Sequence, residues 1–192
     1  MDVLEYARIA QAAYSQKPTF GDEKSAARAI LSDHIVSFPG TNNIACWLAD
    51  LNVETIYIPE LGIIHEGFWN AFRSIQLDLM QQSPEIIVGH SEGAALSIIY
   101  AAMLCIAKKP PKYVYAFEPP RVSTDTSIGN LLRRSNVNLF LFKNGNDIVP
   151  DVPRLVHDWQ HPCELIHIGK PSLPIPNVQD HLIENVIHSL SP

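Results

Sequence analysis

The sequence predicts an α/β protein in which a mostly parallel sheet lies between two layers of helices. β-Branched runs alternate with segments of helical periodicity through the second half of the chain, as is typical of parallel strands joined by helical crossovers. The 192 residues, 46% hydrophobic and 18% charged, can bury one substantial core. We therefore expect a single three-layer domain over residues 1–192.

The first half of the chain is predicted to form a helix, three strands and a second helix. Apolar residues recur at near-helical spacing in both helical segments, and β-rich runs between them are bounded by proline, glycine or polar turn residues. The predicted bounds are 2–15 and 67–82 for the helices and 26–31, 35–38 and 53–58 for the strands.

Residues 86–95 read IIVGHSEGAA and predict a strand, a sharp turn and a helix. The turn carries a G-x-S-x-G pattern, in which a serine on a strained backbone stands clear of the chain and glycines avoid clashes with the strand and helix. The alternative is a chance match in a loop. The β-branched run before the pattern and the Ala-rich run after it favour the functional interpretation. Ser91 is therefore the candidate nucleophile.

Strands and helices continue to alternate after this turn. Pro110 and Pro111 end a buried helix, and Thr124 or Asp125 is the expected cap of the next one. Functional residues of such sheets gather at the carboxyl ends of the strands. The predicted bounds are 94–107, 125–134 and 178–190 for the helices and 113–117, 137–142 and 164–168 for the strands.

A serine nucleophile needs a base within hydrogen-bond reach and a carboxylate that fixes the tautomer of that base. In sheets of this kind the acid follows the serine in the chain and the histidine comes last. Asp147 lies in a turn-rich loop after the strand 137–142, at the sheet edge expected for Ser91, and is the first choice. Glu118 follows the strand 113–117 and is the second choice. A turn or capping role is the alternative for Asp147.

His181 is the candidate base among five histidines that follow Asp147. It lies where a Pro-rich loop re-enters regular structure, and a histidine on a loop is easily brought against the serine. The others are placed in a strand, in the last helix or in a loop pair that lacks the glutamate of the H-E-x-x-H zinc motif, so no metal is predicted. They are His157, His161, His167 and His188.

Two backbone amides are expected to stabilise the oxyanion that forms when a serine attacks a carbonyl. One usually belongs to the residue after the nucleophile and the other to a loop after an earlier strand. Glu92 and the turn at Gly40 and Thr41 occupy these positions. Because a carboxylate would repel the oxyanion, we expect the Glu92 side chain to turn away while its amide donates.

A short amphipathic helix is predicted after this turn. Ile44, Trp47, Leu48 and Leu51 are spaced i, i+3, i+4 and i+7 and form one apolar stripe. Packing of the stripe on the core is the simpler interpretation, and covering of the site is the functional one.

Charge and cysteine content exclude several classes of function. The net charge is −6 and no basic block is longer than two residues, so we expect no nucleic-acid partner. Cys46, Cys105 and Cys163 show no C-x-x-C spacing and predict free thiols. Asp2 and Glu5 lie where an export signal would be basic and then apolar, which predicts a cytoplasmic protein or a processed secreted form.

Several blocks of the chain together resemble the lipase class 3 family of α/β hydrolases, the fungal and plant triacylglycerol lipases. Residues 35–51 resemble its strand, oxyanion turn and lid helix, and residues 64–72 resemble its His-x-Gly-Phe block. GHSEGAA resembles its serine turn, FEPPRV and NGNDIVP resemble the strand ends that lead to its acid, and residues 180–182 resemble the site of its histidine.

The resemblance implies the α/β-hydrolase fold and a triad of Ser91, Asp147 and His181, with Thr41 and Glu92 at the oxyanion hole. It implies hydrolysis of lipid or small esters without a cofactor, including a phospholipase A1-like activity, and a lid stripe that turns toward a lipid surface. An acyltransferase with the same triad and a catalytically silent lipid-binding homologue are the alternatives.

The chain departs from the family's usual pattern near the site. Pro39 stands where arginine is usual, Glu92 where leucine is common and Ala94 where a second glycine is common. Glu118 and Pro119 replace a Gly-Ser pair. The substrate is therefore less well predicted than the mechanism.

Overall fold

The computed structural model describes residues 2–23, 25, 27–41, 43–154 and 157–191. The helices are α1 (Val3–Ala12), α2 (Ile44–Asp50), α3 (Glu66–Leu79), α4 (Glu92–Ile106), α5 (Ser127–Arg134) and α6 (Ile183–Leu190). The strands are β1 (Phe20–Gly21), β2 (Arg28–Ser32), β3 (Ile35–Phe38), β4 (Thr55–Ile58), β5 (Gly62–His65), β6 (Ile86–His90), β7 (Tyr113–Phe117), β8 (Asn138–Asn144) and β9 (Leu165–Ile168). A 3-10 turn spans Val149–Asp151.

A seven-stranded sheet with the order β1-β2-β3-β6-β7-β8-β9 forms the centre of the fold. Strands β3, β6, β7, β8 and β9 pair in parallel, and β1 and β2 extend the sheet in the antiparallel sense. The expected mostly parallel sheet is confirmed. The parallel register brings the carboxyl ends of β6, β7 and β8 to one edge, where polar residues follow each strand.

Helices cover both faces of the sheet, which gives the expected three layers. On β6 the buried side chains alternate: Ile87 joins the cluster that contains α3, α4 and α5, and Ile86 and Val88 join the cluster that contains α1 and α6. Helix α4 is buried on nearly all sides, which explains its continuous apolar sequence. No described helix is long and apolar enough to cross a bilayer.

Two small strand pairings were not predicted. Strands β4 and β5 form a separate antiparallel hairpin, and β1 pairs with β2 over two residues. Strand β2 begins at Arg28, whereas its prediction began at Ala26, which lies outside the described residues. Short strands of this kind are held by their partners rather than by a local pattern, so periodicity does not reveal them.

Helices α5 and α6 begin later than the sequence predicts because polar side chains before them make other contacts. Helix α5 begins at Ser127 with Thr126 as its cap residue. The Asp125 carboxylate bridges the amides of Ser127 and Ile63, both at 2.8 Å, and so ties the helix start to β5. Helix α6 begins at Ile183 rather than near position 178, because the residues before it form the loop that carries His181.

Candidate active site

Ser91 lies on the turn between β6 and α4 with a positive φ of 60° and a ψ of −132°. Such a backbone is rare for a residue with a side chain and is maintained by the elements on either side. A Cβ on Gly89 would overlap the carbonyl oxygen of Gly93, and one on Gly93 would overlap that of Phe38. The two glycines therefore allow the strand, turn and helix to pack closely enough to hold this conformation.

Hydrogen bonds join Ser91, His181 and Asp147 in a continuous chain. His181 Nε2 is 2.8 Å from Ser91 Oγ, and His181 Nδ1 is 2.7 Å from Asp147 Oδ2. All three residues are at most 2% exposed. An ionised carboxylate only accepts, so Nδ1 carries the proton and Nε2 presents its lone pair to the serine hydroxyl. The structure thus brings together the three residues that the sequence nominated.

Asp147 belongs to the acid loop, residues 145–148, which follows β8. His181 belongs to the base loop, residues 169–182, which follows β9. The two loops pair along their backbones: Asn177 N donates to Asn146 O at 3.0 Å and Ile148 N donates to Asn177 O at 3.1 Å. This pairing fixes the position of the acid relative to the base.

The Asp180 carboxylate links the base loop to the acid loop through the Asn146 amide and also ties the base loop to itself. It accepts hydrogen bonds from the backbone amides of Asn146 and Ser172 and from Asn177 Nδ2, and the Asp180 N–H donates to Asn177 Oδ1. Burial raises the pKa of Asp180, but hydrogen bonds from Ser172, Asn146 and Asn177 outweigh burial and lower it overall. Sequence analysis noted Asp180 only as a neighbour of His181.

His90 supports the base from the other side. Burial, followed by the charge of His181, lowers the pKa of His90 to about 3, so its ring is neutral. Tyr14 Oη is 2.6 Å from His90 Nδ1, and His90 Nε2 is 2.9 Å from the backbone oxygen of His181. Since that oxygen only accepts, Nε2 donates to it and Nδ1 accepts from the tyrosine hydroxyl. Sequence analysis did not identify this pair, since no motif links positions 14 and 90.

Glu118, the second choice for the acid, contacts the acid rather than the base. It is fully buried with a positive φ of 52° just after β7. Its Oε1 accepts the Asn144 N–H at 2.7 Å, and one of its carboxyl oxygens lies within 4.8 Å of one of Asp147. Burial, and then the neighbouring carboxyl group of Asp147, raise the pKa of Glu118 well above its usual range.

The pKa of Asp147 moves in the opposite direction to that of Glu118. Burial raises it, but hydrogen bonds from Glu118 and His181, together with the charge of His181, outweigh burial and lower the pKa overall. Of the two carboxyl groups, Asp147 therefore ionises more readily than Glu118.

Thr41 and Glu92 lie beside the nucleophile. An added Cβ on Gly40 would come 2.6 Å from Ser91 Cβ, so the turn of Gly40 and Thr41 abuts the serine. Glu92 is the first residue of α4, where a helix amide has no intrahelical partner and can donate elsewhere. The roles of both amides in an oxyanion hole remain predictions.

Glu92 is 8% exposed and lines the same cavity as Trp47. Burial raises its pKa to about 7, against the opposing effects of the Arg28 charge and the Trp47 hydrogen bond. Its Oε2 is buried and meets no hydrogen-bond donor among the described residues. That the side chain stays turned away from the oxyanion remains a prediction.

Two cavities are lined by residues of the site or its neighbours, and Thr41 lines both. The first, of about 260 Å³, is lined by His181, Ile44 and Leu182 among others. The second, of about 400 Å³, is lined by Trp47 among others.

The predicted apolar stripe lies on α2 and at its end. Ile44, Trp47, Leu48 and Leu51 are all half-buried, whereas other positions of this helix are exposed. Trp47 stacks on Phe68 with ring centroids 6.2 Å apart. The stripe therefore faces the body of the protein, and its function as a lid remains a prediction.

One group of described residues has the donor atoms of a metal site: Glu118, Asp147 and His181 lie with one candidate ligand atom each within 4.8 Å of one another. Asp147 and His181 already hydrogen-bond each other, and His181 also bonds Ser91. This chemistry fits a proton-sharing chain better than a cation site. The absence of a metal remains a prediction.

The sheet order and the strand–turn–helix around Ser91 place the chain in the class of α/β hydrolases. A profile of the family described as lipase (class 3) matches residues 35–157, well over half of the chain. The chain belongs to this family, which confirms the resemblance drawn from the sequence.

Two kinds of known protein are similar to the chain. A secreted mono- and diacylglycerol lipase of Penicillium cyclopium is 29% identical over 152 residues, which cover 72% of this chain and 48% of the relative. The chain thus spans about half the length of this curated relative. The solved triacylglyceride lipase of Rhizomucor miehei superposes with a TM-score of 0.70 at 18% identity, covering 93% of this chain and 91% of that one.

The expected cytoplasmic location is wrong. The Penicillium relative and a Malassezia globosa relative, 28% identical over 58% of this chain, are both named as secreted lipases and point to an extracellular protein. The expectation relied on the charges of Asp2 and Glu5. These two residues form a capping box that starts α1, so their charges stabilise the helix and carry no information about export.

Proposed function

We propose that this chain hydrolyses carboxylic esters of lipids through an acyl-enzyme on Ser91, with His181 as base and Asp147 as the acid that orients it. The observation that carries the proposal is the hydrogen-bond chain of 2.8 Å and 2.7 Å through the three side chains. Its order is the one that activates a serine hydroxyl. Membership of the lipase class 3 family supports the same reaction.

The reaction needs only the ester, water and the side chains of this site. His181 Nε2 takes the hydroxyl proton as Ser91 Oγ attacks the ester carbonyl, and the amides of Thr41 and Glu92 donate to the oxyanion. The ester C–O bond then breaks, and His181 returns the proton to the departing alcohol. Water repeats the two steps on the acyl-enzyme and releases the acid, so no cofactor or metal takes part.

Buried Asp147 stabilises the His181 imidazolium that forms in each step. Its lowered pKa keeps the carboxylate ionised beside the His181 ring, and an opposite charge 2.7 Å away stabilises the protonated ring. The same hydrogen bond holds the ring in the tautomer that can accept the serine proton.

Acylglycerols are the proposed substrates, with short-chain and phospholipid esters as further members of the same class. Apolar side chains line both cavities: Ile44 and Leu182 in the first, and Trp47 and Phe68 in the second. The curated relatives are named as mono- and diacylglycerol lipases. An acyl chain in one cavity and the alcohol part in the other would place the ester carbonyl near Thr41, which lines both.

The stripe of Ile44, Trp47, Leu48 and Leu51 is proposed to act as a lid. Its side chains are half-buried against the body of the protein. Asn43 caps helix α2, because its Oδ1 accepts a hydrogen bond from the Cys46 N–H. Turning the helix outward would expose the stripe to a lipid surface and open the cavities beneath it.

A single domain over residues 1–192 is also proposed. One sheet carries two buried clusters, one on each face, and described residues from both ends of the chain meet where α1 packs on α6.

Hydrolysis of p-nitrophenyl esters by a serine variant tests the function. Ser91→Ala is expected to abolish turnover, because no other group can form the acyl-enzyme. Ser97→Ala is the matched control: Ser97 is buried in the same helix and donates to a backbone oxygen, so this variant is expected to retain activity. Equal turnover by wild type and Ser91→Ala would reject the proposal.

A further inference from the structure

Glu118 is a buried carboxyl group that the catalytic triad does not include. It occupies a position just after β7, where its own N–H donates to Phe142 O at 2.9 Å and its Oε1 accepts the Asn144 N–H at 2.7 Å. Its Oε2 is also buried and has no hydrogen-bond partner among the described residues. Glu118 and Asp147 each place a carboxyl oxygen within 4.8 Å of the other's.

Two ionised carboxylates cannot hydrogen-bond each other, because both only accept, and two like charges in a buried site repel strongly. A proton between them removes both problems. Oε2 then becomes an O–H donor, and the buried atom that lacks a donor gains a partner.

The proton belongs on Glu118 rather than on Asp147. Asp147 accepts from His181 Nδ1 at 2.7 Å and from the Val149 amide at 3.0 Å, and both bonds favour its ionised form. Glu118 accepts from one backbone amide only. The charge of Lys143 has the smallest effect among the groups that shift the pKa of Glu118, and Lys143 is itself paired with Asp151 at 2.8 Å.

We propose that Glu118 is a positioning residue which, as a neutral carboxylic acid, donates a hydrogen bond to Asp147 and thereby holds the acid in place and limits its basicity. The hydrogen-bond chain of the site then has four side chains: Glu118, Asp147, His181 and Ser91. This inference rests on the proposed function for its kinetic consequences, and on the buried carboxyl pair alone for its structural ones.

The pH dependence of kcat/KM in three variants tests the inference. Glu118→Gln replaces a neutral donor with another neutral donor, so the acid-limb pKa, which reports on His181, is expected to move by less than about 0.5 unit. Glu118→Leu removes the donor. Asp147 then attracts the His181 proton more strongly, so the acid limb moves to higher pH and kcat falls about tenfold with little change in KM.

The matched control is Glu85→Gln, the same chemical change at a surface site where the carboxylate pairs with Lys112. It is expected to leave the acid limb and kcat unchanged. Thermal unfolding of each variant shows whether a change in activity comes from loss of the fold. Glu118→Gln retains an acceptor for the Asn144 amide. A fall of the acid-limb pKa by about one unit or more in Glu118→Gln would mean that an ionised Glu118 had been removed, and this result overturns the proposal.

NMR titration of the His181 ring gives the same answer without any substrate. The pKa of His181 is expected to be nearly the same in wild type and in Glu118→Gln. In Glu118→Leu it is expected to be higher than in either. A His181 pKa that falls in Glu118→Gln, or stays unchanged in Glu118→Leu, contradicts the inference. If wild type hydrolyses no ester but shows the expected order, the proposed function fails and the inference about Glu118 stands.

Discussion

The serine side of the site and the acid–base side are built in different ways. Ser91 is held by a short stretch of sequence in which a buried strand, two glycines and a buried helix force the turn. Asp147 and His181 are held by a short acid loop and a long base loop that pair through polar groups. The serine side therefore depends on close packing, and the acid–base side depends on satisfied hydrogen bonds.

The largest expected effect comes from changing the acid without changing its shape. Asp147→Asn would donate to His181 from its amide and so favour the wrong tautomer of the ring. We expect kcat to fall on the order of 10⁴-fold while the fold is retained. Steady-state kinetics and circular dichroism of the purified variant measure the two effects. A loss smaller than about tenfold would show that another carboxyl group orients the base.

Breaking the packing of the serine side is expected to act on stability and activity together. In Gly93→Ala the new Cβ meets the backbone oxygens of Phe38 and Pro39, which belong to a strand end that cannot move freely. We expect the free energy of unfolding to fall by about 1–3 kcal/mol, with loss of turnover. Ser97→Ala in the same helix is the control, and urea unfolding is the measurement. Unchanged stability would contradict the packing account.

Breaking the polar link of the acid–base side is expected to give a pH-dependent loss of stability. Asp180→Asn places an amide among N–H donors, and we expect unfolding to become easier by about 2 kcal/mol at neutral pH. Because the folded-state pKa of Asp180 is lowered, its stabilisation is present above the unfolded pKa of about 3.9 and is lost as pH falls through the folded value.

The measurement for Asp180→Asn is urea unfolding of wild type and variant from pH 7 to pH 3. The difference between the two proteins is expected to shrink as the pH falls below about 4. A difference that is constant over this range would show that the carboxylate charge is not what joins the loops.

The smallest expected effect is at Tyr14, which is two steps removed from the reacting atoms. Tyr14→Phe removes the hydroxyl 2.6 Å from His90 Nδ1 and leaves that nitrogen without this donor. We expect kcat/KM to fall less than about tenfold with no shift of the acid limb. A pH–rate profile of the variant tests this, and a shifted acid limb would show that His90 titrates with the base.

This contrast also explains how much could be predicted from the sequence. The strand and helix around Ser91 are confirmed because glycine spacing and continuous apolar runs are local signals. In the separate hairpin, β4 was predicted and β5 was not, because the strand Gly62–His65 depends on its partner strand.

The positions of the site residues were predicted unequally for the same reason. Asp147 and His181 were chosen by chain order and loop placement, and the structure brings both to Ser91. The link made by Asp180 and the neutral form proposed for Glu118 depend on contacts between distant segments and on burial, neither of which a single sequence displays.

The central claim is that Ser91 is a nucleophile activated by His181. The direct test is to treat wild type and His181→Ala with a fluorophosphonate and to locate the adduct by peptide mass spectrometry. We predict one adduct on the peptide that contains Ser91 in wild type and none in His181→Ala. An adduct on another residue, or equal labelling of Ser91 in both proteins, would contradict the account.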